Sequence, residues 1–176
     1  MNTNEFWALI GDAASVGGTP DTVADRVATT LAARDADEII GFERHLRRVL
    51  DASFKVDLFG AAYLINGGCS DEGFDAFRGW LMMQGREAFA RAVGETDSLA
   101  ELPAVRRAAL TGEELVSERM LAAAPEAHRR ATGEELPEES ATKRPNTDDF
   151  WDFDDEDEVR RRFPRLAALF NEAPAE

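Results

Sequence analysis

Cysteine is nearly absent: the 176 residues hold one, Cys69. A single thiol excludes an intrachain disulfide framework and suits a reducing compartment. Histidine is almost as scarce, with only His45 and His128. Without Cys or His ligands paired at short spacing there is no zinc pattern, so neither metal nor cofactor is expected. Lysine occurs only at Lys55 and Lys143. Arginine therefore carries most of the positive charge, and with the abundant alanine this reads as a codon bias rather than a set of anion forks. No apolar run approaches the roughly 20 residues that span a bilayer. The start, Met1-Asn-Thr-Asn-Glu5, is polar and acidic, unlike a secretory signal. Strand-like alternation is also missing, which leaves an all-α fold.

What is present is acid. Thirty-five acids against twenty bases give a net charge of −15. That field repels phosphate backbones and anionic lipid, so no direct nucleic-acid or membrane partner is expected. The charge is unevenly placed. Residues 1–133 carry 21 acids and 14 bases, whereas residues 134–158 carry 12 acids and 2 bases. This shift marks a boundary near residue 130. The chain then divides into a helical domain at 1–130, a linker at 131–147, and an acidic aromatic segment with a short helix at 148–176. The first part is expected to fold alone as a single compact bundle of about six or seven helices, in a cytoplasmic protein.

Helix signals support that division. Asn2 with Glu5 three residues later forms a capping box before Phe6, Trp7, Leu9 and Ile10. Thr19 caps a second helix with Pro20 at its first position, and Val23, Val27 and Leu31 share one face. Asp35 and Glu38 open a third, with Ile39, Phe42 and Leu46 inward. A fourth runs through Leu58–Ile65 until Asn66-Gly67-Gly68 breaks it. Ser70 caps a fifth, with Asp71 and Glu72 in the first turn where the dipole favours acids. Its stripe of Phe74, Phe77, Leu81 and Ala88 predicts the longest helix of the chain. Ser98–Glu101 and Thr111–Glu114 read as capping boxes opening two more. The pentapeptide Thr-Gly-Glu-Glu-Leu occurs at 111–115 and 132–136. Two such short copies read as a reused capping sequence rather than a structural repeat.

The stretch Ala61-Ala-Tyr-Leu-Ile-Asn-Gly-Gly-Cys-Ser-Asp-Glu-Gly-Phe-Asp-Ala-Phe-Arg-Gly-Trp-Leu81 resembles the signature of the domain of unknown function DUF4240. Glu5–Ile10, Gln84–Glu87 and Asp97–Ala100 agree with it, and the resemblance covers about residues 1–127. It implies a compact domain from bacteria such as actinomycetes. It implies no activity.

The best site candidate lies inside that signature. Asn66, Gly67, Gly68, Cys69 and Ser70 lead into a helix N-terminus, where free amides can bind a ligand. Asp71 and Asp75 share one helix face, and Arg78 is three residues beyond Asp75. The same residues also have a mechanical reading. Glycines make the turn, Ser70 caps the helix, and Asp75 pairs with Arg78. Cys69 precedes a helix start, where the dipole lowers a thiol pKa. No histidine sits near in sequence to activate it, so a packed cysteine is the simpler reading.

The second candidate is Asp148–Glu158. Eight of its eleven residues are acids, and the others are Phe150, Trp151 and Phe153. The calcium-loop pattern fails, because Asp157 stands where glycine is needed and Phe163 where glutamate is. Disordered acidic tails usually avoid aromatics, so these three are expected to anchor on the bundle or on a partner. Three function classes follow. The preferred one is a non-catalytic interaction protein whose acidic aromatic segment contacts a basic protein partner or its own bundle. Next is a small-ligand binder or enzyme working at Asn66–Arg78. The last is a DNA mimic, which would need acids spread over an ordered surface.

Overall fold

A computed structural model describes residues 1–138 and 149–171. Among the described residues the fold is all-α, with no strand. Nine α-helices precede residue 133. They are α1 (Thr3–Ser15), α2 (Pro20–Ala32), α3 (Ala36–Ala52), α4 (Val56–Asn66), α5 (Asp71–Met82), α6 (Arg86–Gly94), α7 (Pro103–Thr111), α8 (Glu118–Leu121) and α9 (Ala123–Thr132). A 3₁₀ helix, Thr96–Glu101, joins α6 to α7. After the undescribed stretch come α10 (Glu156–Arg162) and α11 (Pro164–Phe170). Most of the predicted linker, 139–147, and Asp148 lie outside the described residues.

The N-caps form where the sequence places them. The Asn2 side chain accepts from the Glu5 amide while Glu5 returns the bond to the Asn2 amide, a closed capping box. Thr19, Asp35 and Ser70 each accept from an amide in the first turn of the next helix.

Three boundaries differ from the sequence pattern. The expected long fifth helix is two helices, α5 and α6, and the longest is α3 at 17 residues. The break falls at Gly85, whose φ of +98° suits glycine and strains any residue with a Cβ. Phe89 still reaches the core from α6, so the apolar stripe runs on across a turn that it does not reveal. Ser98 is not an N-cap but a buried member of the 3₁₀ helix, and α7 begins instead with Pro103 at its first position. Thr111–Glu114 does not open a helix either: it closes one.

Both Thr-Gly-Glu-Glu-Leu copies act as the same C-terminal stop. Gly112 and Gly133 take left-handed φ of 72° and 77° after α7 and α9. Each threonine hydroxyl accepts from the amide two residues on. Each copy adds an ion pair back to its helix, Arg107–Glu113 and Arg129–Glu135. The extra helices over the six or seven expected come from the split at Gly85 and from the four-residue α8.

One core runs through the molecule. Phe6, Ile10, Leu31, Ile39, Phe42, Leu58, Phe74, Phe77 and Leu81 are fully enclosed in it. Val159, Phe163, Leu166 and Ala167 belong to the same cluster. Thus α10 and α11 are not a loose appendage: α11 packs against the 3₁₀ helix, α4 and α7. Helix α9 packs across α2 and α3. His128 is buried in α9, its Nδ1 3.0 Å from the Glu134 carbonyl oxygen.

Candidate functional site

At the α4–α5 turn, the polar groups of the signature are engaged with the protein's own backbone. The Asn66 side-chain amide donates to the Leu115 carbonyl at 3.3 Å and its oxygen accepts from the Leu115 amide at 2.9 Å. One side chain thereby clamps the irregular segment after α7 to the end of α4. Gly67 ends α4 in the left-handed conformation, and the Gly68 amide donates to the Tyr63 carbonyl. The Ser70 hydroxyl oxygen accepts from the Gly73 amide at 3.0 Å.

Arg78 is 2% exposed, which makes it the largest fully buried side chain. Its guanidinium lies over the Phe74 ring, 4.1 Å from the centroid, and 5.3 Å from that of Phe54. It donates to the Asp75 carboxylate and to the Leu50 carbonyl at the C-terminal end of α3. Arg78 thus pins α5 to the end of α3. Asp71 stands beside Ser70 in the first turn of α5.

Cys69 is half-buried, and its thiol donates to the Ser70 carbonyl. Burial, with Asp71 adding repulsion, pushes the thiol pKa up to about 11. The helix-start lowering expected from sequence is outweighed here. Alkylation of Cys69 in the native protein at pH 8 is therefore expected to run slower than that of free cysteine. It should accelerate as pH rises toward 11. A native-state rate matching or exceeding that of free cysteine at pH 8 would contradict this.

The acidic aromatic segment brings together residues far apart in sequence. Phe150 meets the Phe59 ring edge-on at 5.4 Å, and Phe153 stacks on the same ring at 5.7 Å. The Trp151 indole N–H donates to Asp57 Oδ1 at 3.2 Å. Arg162 donates to that same oxygen at 3.0 Å and lies over the Trp151 ring, 4.7 Å from its centroid. Tyr63 donates to Asp154 at 3.0 Å, and this bond raises the Tyr63 pKa. All three rings are partly buried, while Asp152, Asp154, Asp155, Glu156 and Asp157 are exposed.

Gly60 makes this seat possible. A Cβ at residue 60 would stand 2.7 Å from Trp151 Cζ2 and 3.1 Å from the Phe153 ring. Both rings are rigid, so they would have to move. Gly60→Ala lies in mid-helix, where alanine's propensity gains about 0.8–1.0 kcal/mol. The variant is nevertheless expected to be destabilised, by about 1–3 kcal/mol as for other overpacked sites. Urea melts of the two proteins check this, and a stabilised variant would show that the rings do not rest there.

Downstream of the seat, Asp97 caps α11. Its carboxylate accepts from the amides of Arg165 and Leu166 at 3.0 and 2.9 Å. Arg165 also reaches Glu95 and Glu101.

Residues 1–130 match the model of a family described as a protein of unknown function, DUF4240. The chain belongs to the DUF4240 family. No curated protein and no solved structure matches it. Asp57, Gly60, Tyr63 and Asp97, which receive the C-terminal segment, all lie inside the DUF4240 match, whereas the segment lies beyond it. Among the described residues no helix is long and apolar enough to cross a membrane.

The sequence singled out the three rings but not their receptors. Asp57 lies 94 residues before Trp151 and 105 before Arg162, and no local pattern links them. The only available hint was Gly60 in an otherwise strong apolar helix, where glycine weakens the helix without a local reason.

Proposed function

We propose that this DUF4240 protein is a non-catalytic binding protein that presents a fixed acidic edge to a basic protein partner. The observation that carries the reading is the sidedness of residues 150–157: rings inward against α4, carboxylates outward. Fixing the acids before encounter reduces the ordering cost of association, and their field speeds approach of a basic surface. Support also comes from the Asn66–Arg78 turn. There Asn66, Ser70 and Arg78 hold backbone and neighbouring side chains, and the thiol is kept protonated. The one-cysteine composition and the alanine and arginine bias favour a bacterial cytoplasmic setting.

The test compares the full chain with an isosteric triple variant, Asp152→Asn, Glu156→Gln and Asp157→Asn, as bait in native lysate. A partner should be retained at low salt, released as salt rises, and lost by the variant. Equal retention of the same partner by both baits would contradict the reading. So would the absence of any salt-sensitive partner.

A further inference from the structure

Where the C-terminal segment meets the helical domain, a groove of about 690 Å³ remains open. That volume lies within the roughly 300–1,000 Å³ range of small-molecule sites. Three stretches form it: the α3–α4 turn, the α6–3₁₀ junction, and residues of the segment from Asp149 to Phe163. Its walls include Phe54, Val56, Val93, Trp151 and Phe163. It is separate from the Asn66–Arg78 turn and from the outward acidic edge.

The polar groups of this groove divide into two sets. Asp57 serves Trp151 and Arg162, and Arg162 also pairs with Glu158. Glu95 and Asp97 are engaged by Arg165. Each of these charges already has a partner within the protein. Lys55, Thr96 and Asp149 remain, and none makes a side-chain hydrogen bond or ion pair among the described residues. One ammonium, one hydroxyl and one carboxylate thus stand uncommitted around an apolar wall. Four acids against two bases line the groove, so a polyanion is disfavoured here. A molecule carrying both a carboxylate and an ammonium on an apolar body satisfies both ends.

We propose that the groove binds such a zwitterion: an apolar α-amino acid or a short apolar peptide. The carboxylate meets Lys55, the ammonium meets Asp149, and the apolar body rests against Trp151 and its neighbours. The two sources share this chemistry and differ in the separation of their charges, so a length series distinguishes them.

Isothermal titration of the full chain with leucine, dileucine and trileucine tests the proposal. Each ligand is paired with its N-acetyl and its C-terminal amide derivative. The proteins are the wild type, Lys55→Met and Asp149→Asn. Both side chains are exposed, so these variants are expected to fold, and circular dichroism checks that they do. One member of the series should bind best, and each variant should weaken it on the order of tenfold. The losses should also cross over. The N-acetyl derivative should be indifferent to Asp149→Asn, and the amide indifferent to Lys55→Met. No binding by any zwitterion at millimolar concentration would overturn the proposal. So would binding unchanged by both variants, or derivatives that bind as well as their parents. All three outcomes leave the acidic edge untouched, so they do not bear on the partner-binding reading.

Discussion

A chain ending at Glu138 is expected to lose cooperative unfolding, although it retains the whole DUF4240 match. The reason is the core. Val159, Phe163 and Leu166 are 2%, 1% and 0% exposed members of the common core, and α11 packs against α4, α7 and the 3₁₀ helix. Burying each such side chain contributes about 1.5–3 kcal/mol. Losing several at once removes a large share of the roughly 5–15 kcal/mol by which domains are stable. Truncation also uncovers Phe59 and leaves the Asp97 carboxylate without the two amides that it caps. In the intact chain, Phe163→Ala isolates the packing term and should cost about 3–5 kcal/mol in a urea melt. A sharp, wild-type-like melt of the truncated chain would show that residues 1–138 hold their core unaided. That outcome would support the boundary near residue 130 expected from charge and helical periodicity.

The second large effect is expected at Arg78. Arg78→Met removes the buried charge of a pair whose other member is 37% exposed, and it strips the Leu50 carbonyl of a donor. It also leaves the faces of Phe74 and Phe54 without the cation that covers them. The loss should reach about 2–4 kcal/mol, from the donor withdrawn from the Leu50 carbonyl and the desolvated cation withdrawn from the two rings. Asp75→Asn should cost clearly less, about 0.3–1 kcal/mol, because its carboxylate is open to water and screened. Denaturant midpoints of the two variants decide the point. If Asp75→Asn proved as damaging as Arg78→Met, the stabilisation would reside in the ion pair rather than in the tie from α5 to α3.

Much of the fold is legible in the sequence because caps and apolar spacing are local. Asn2 with Glu5, Thr19 with Pro20, and Ser70 with the acids behind it each need only a few residues of context. The misreadings arise where one pattern serves two structures. Thr-Gly-Glu-Glu satisfies the letter of a capping box, yet glycine at its second position takes a left-handed φ and ends the helix instead. The stripe from Phe74 to Phe89 keeps helical spacing across Gly85, where the backbone turns.

The candidate sites were legible only in part. Phe150, Trp151 and Phe153 stand out by chemistry, because aromatics among acids are unusual. Their seat on Phe59, Gly60 and Asp57 depends on contacts across the chain, as does the groove holding Lys55 and Asp149. Asn66 shows the opposite case. Its place in a distinctive motif suggested a ligand, while its amide is matched to the backbone of Leu115.

Nuclear Overhauser contacts of Trp151 in the labelled, full-length wild-type protein test the inward seating of the rings most directly. The Trp151 indole resonances are assigned by their loss in Trp151→Phe. Cross-peaks from the indole ring to the Gly60 α protons are expected, because the ring lies where a Cβ of residue 60 would stand. The indole N–H should shift in Asp57→Asn, which alters its acceptor. Random-coil indole shifts with no contact to Gly60 would mean that the rings are not held on α4. The acids would then have no fixed edge to present to a partner.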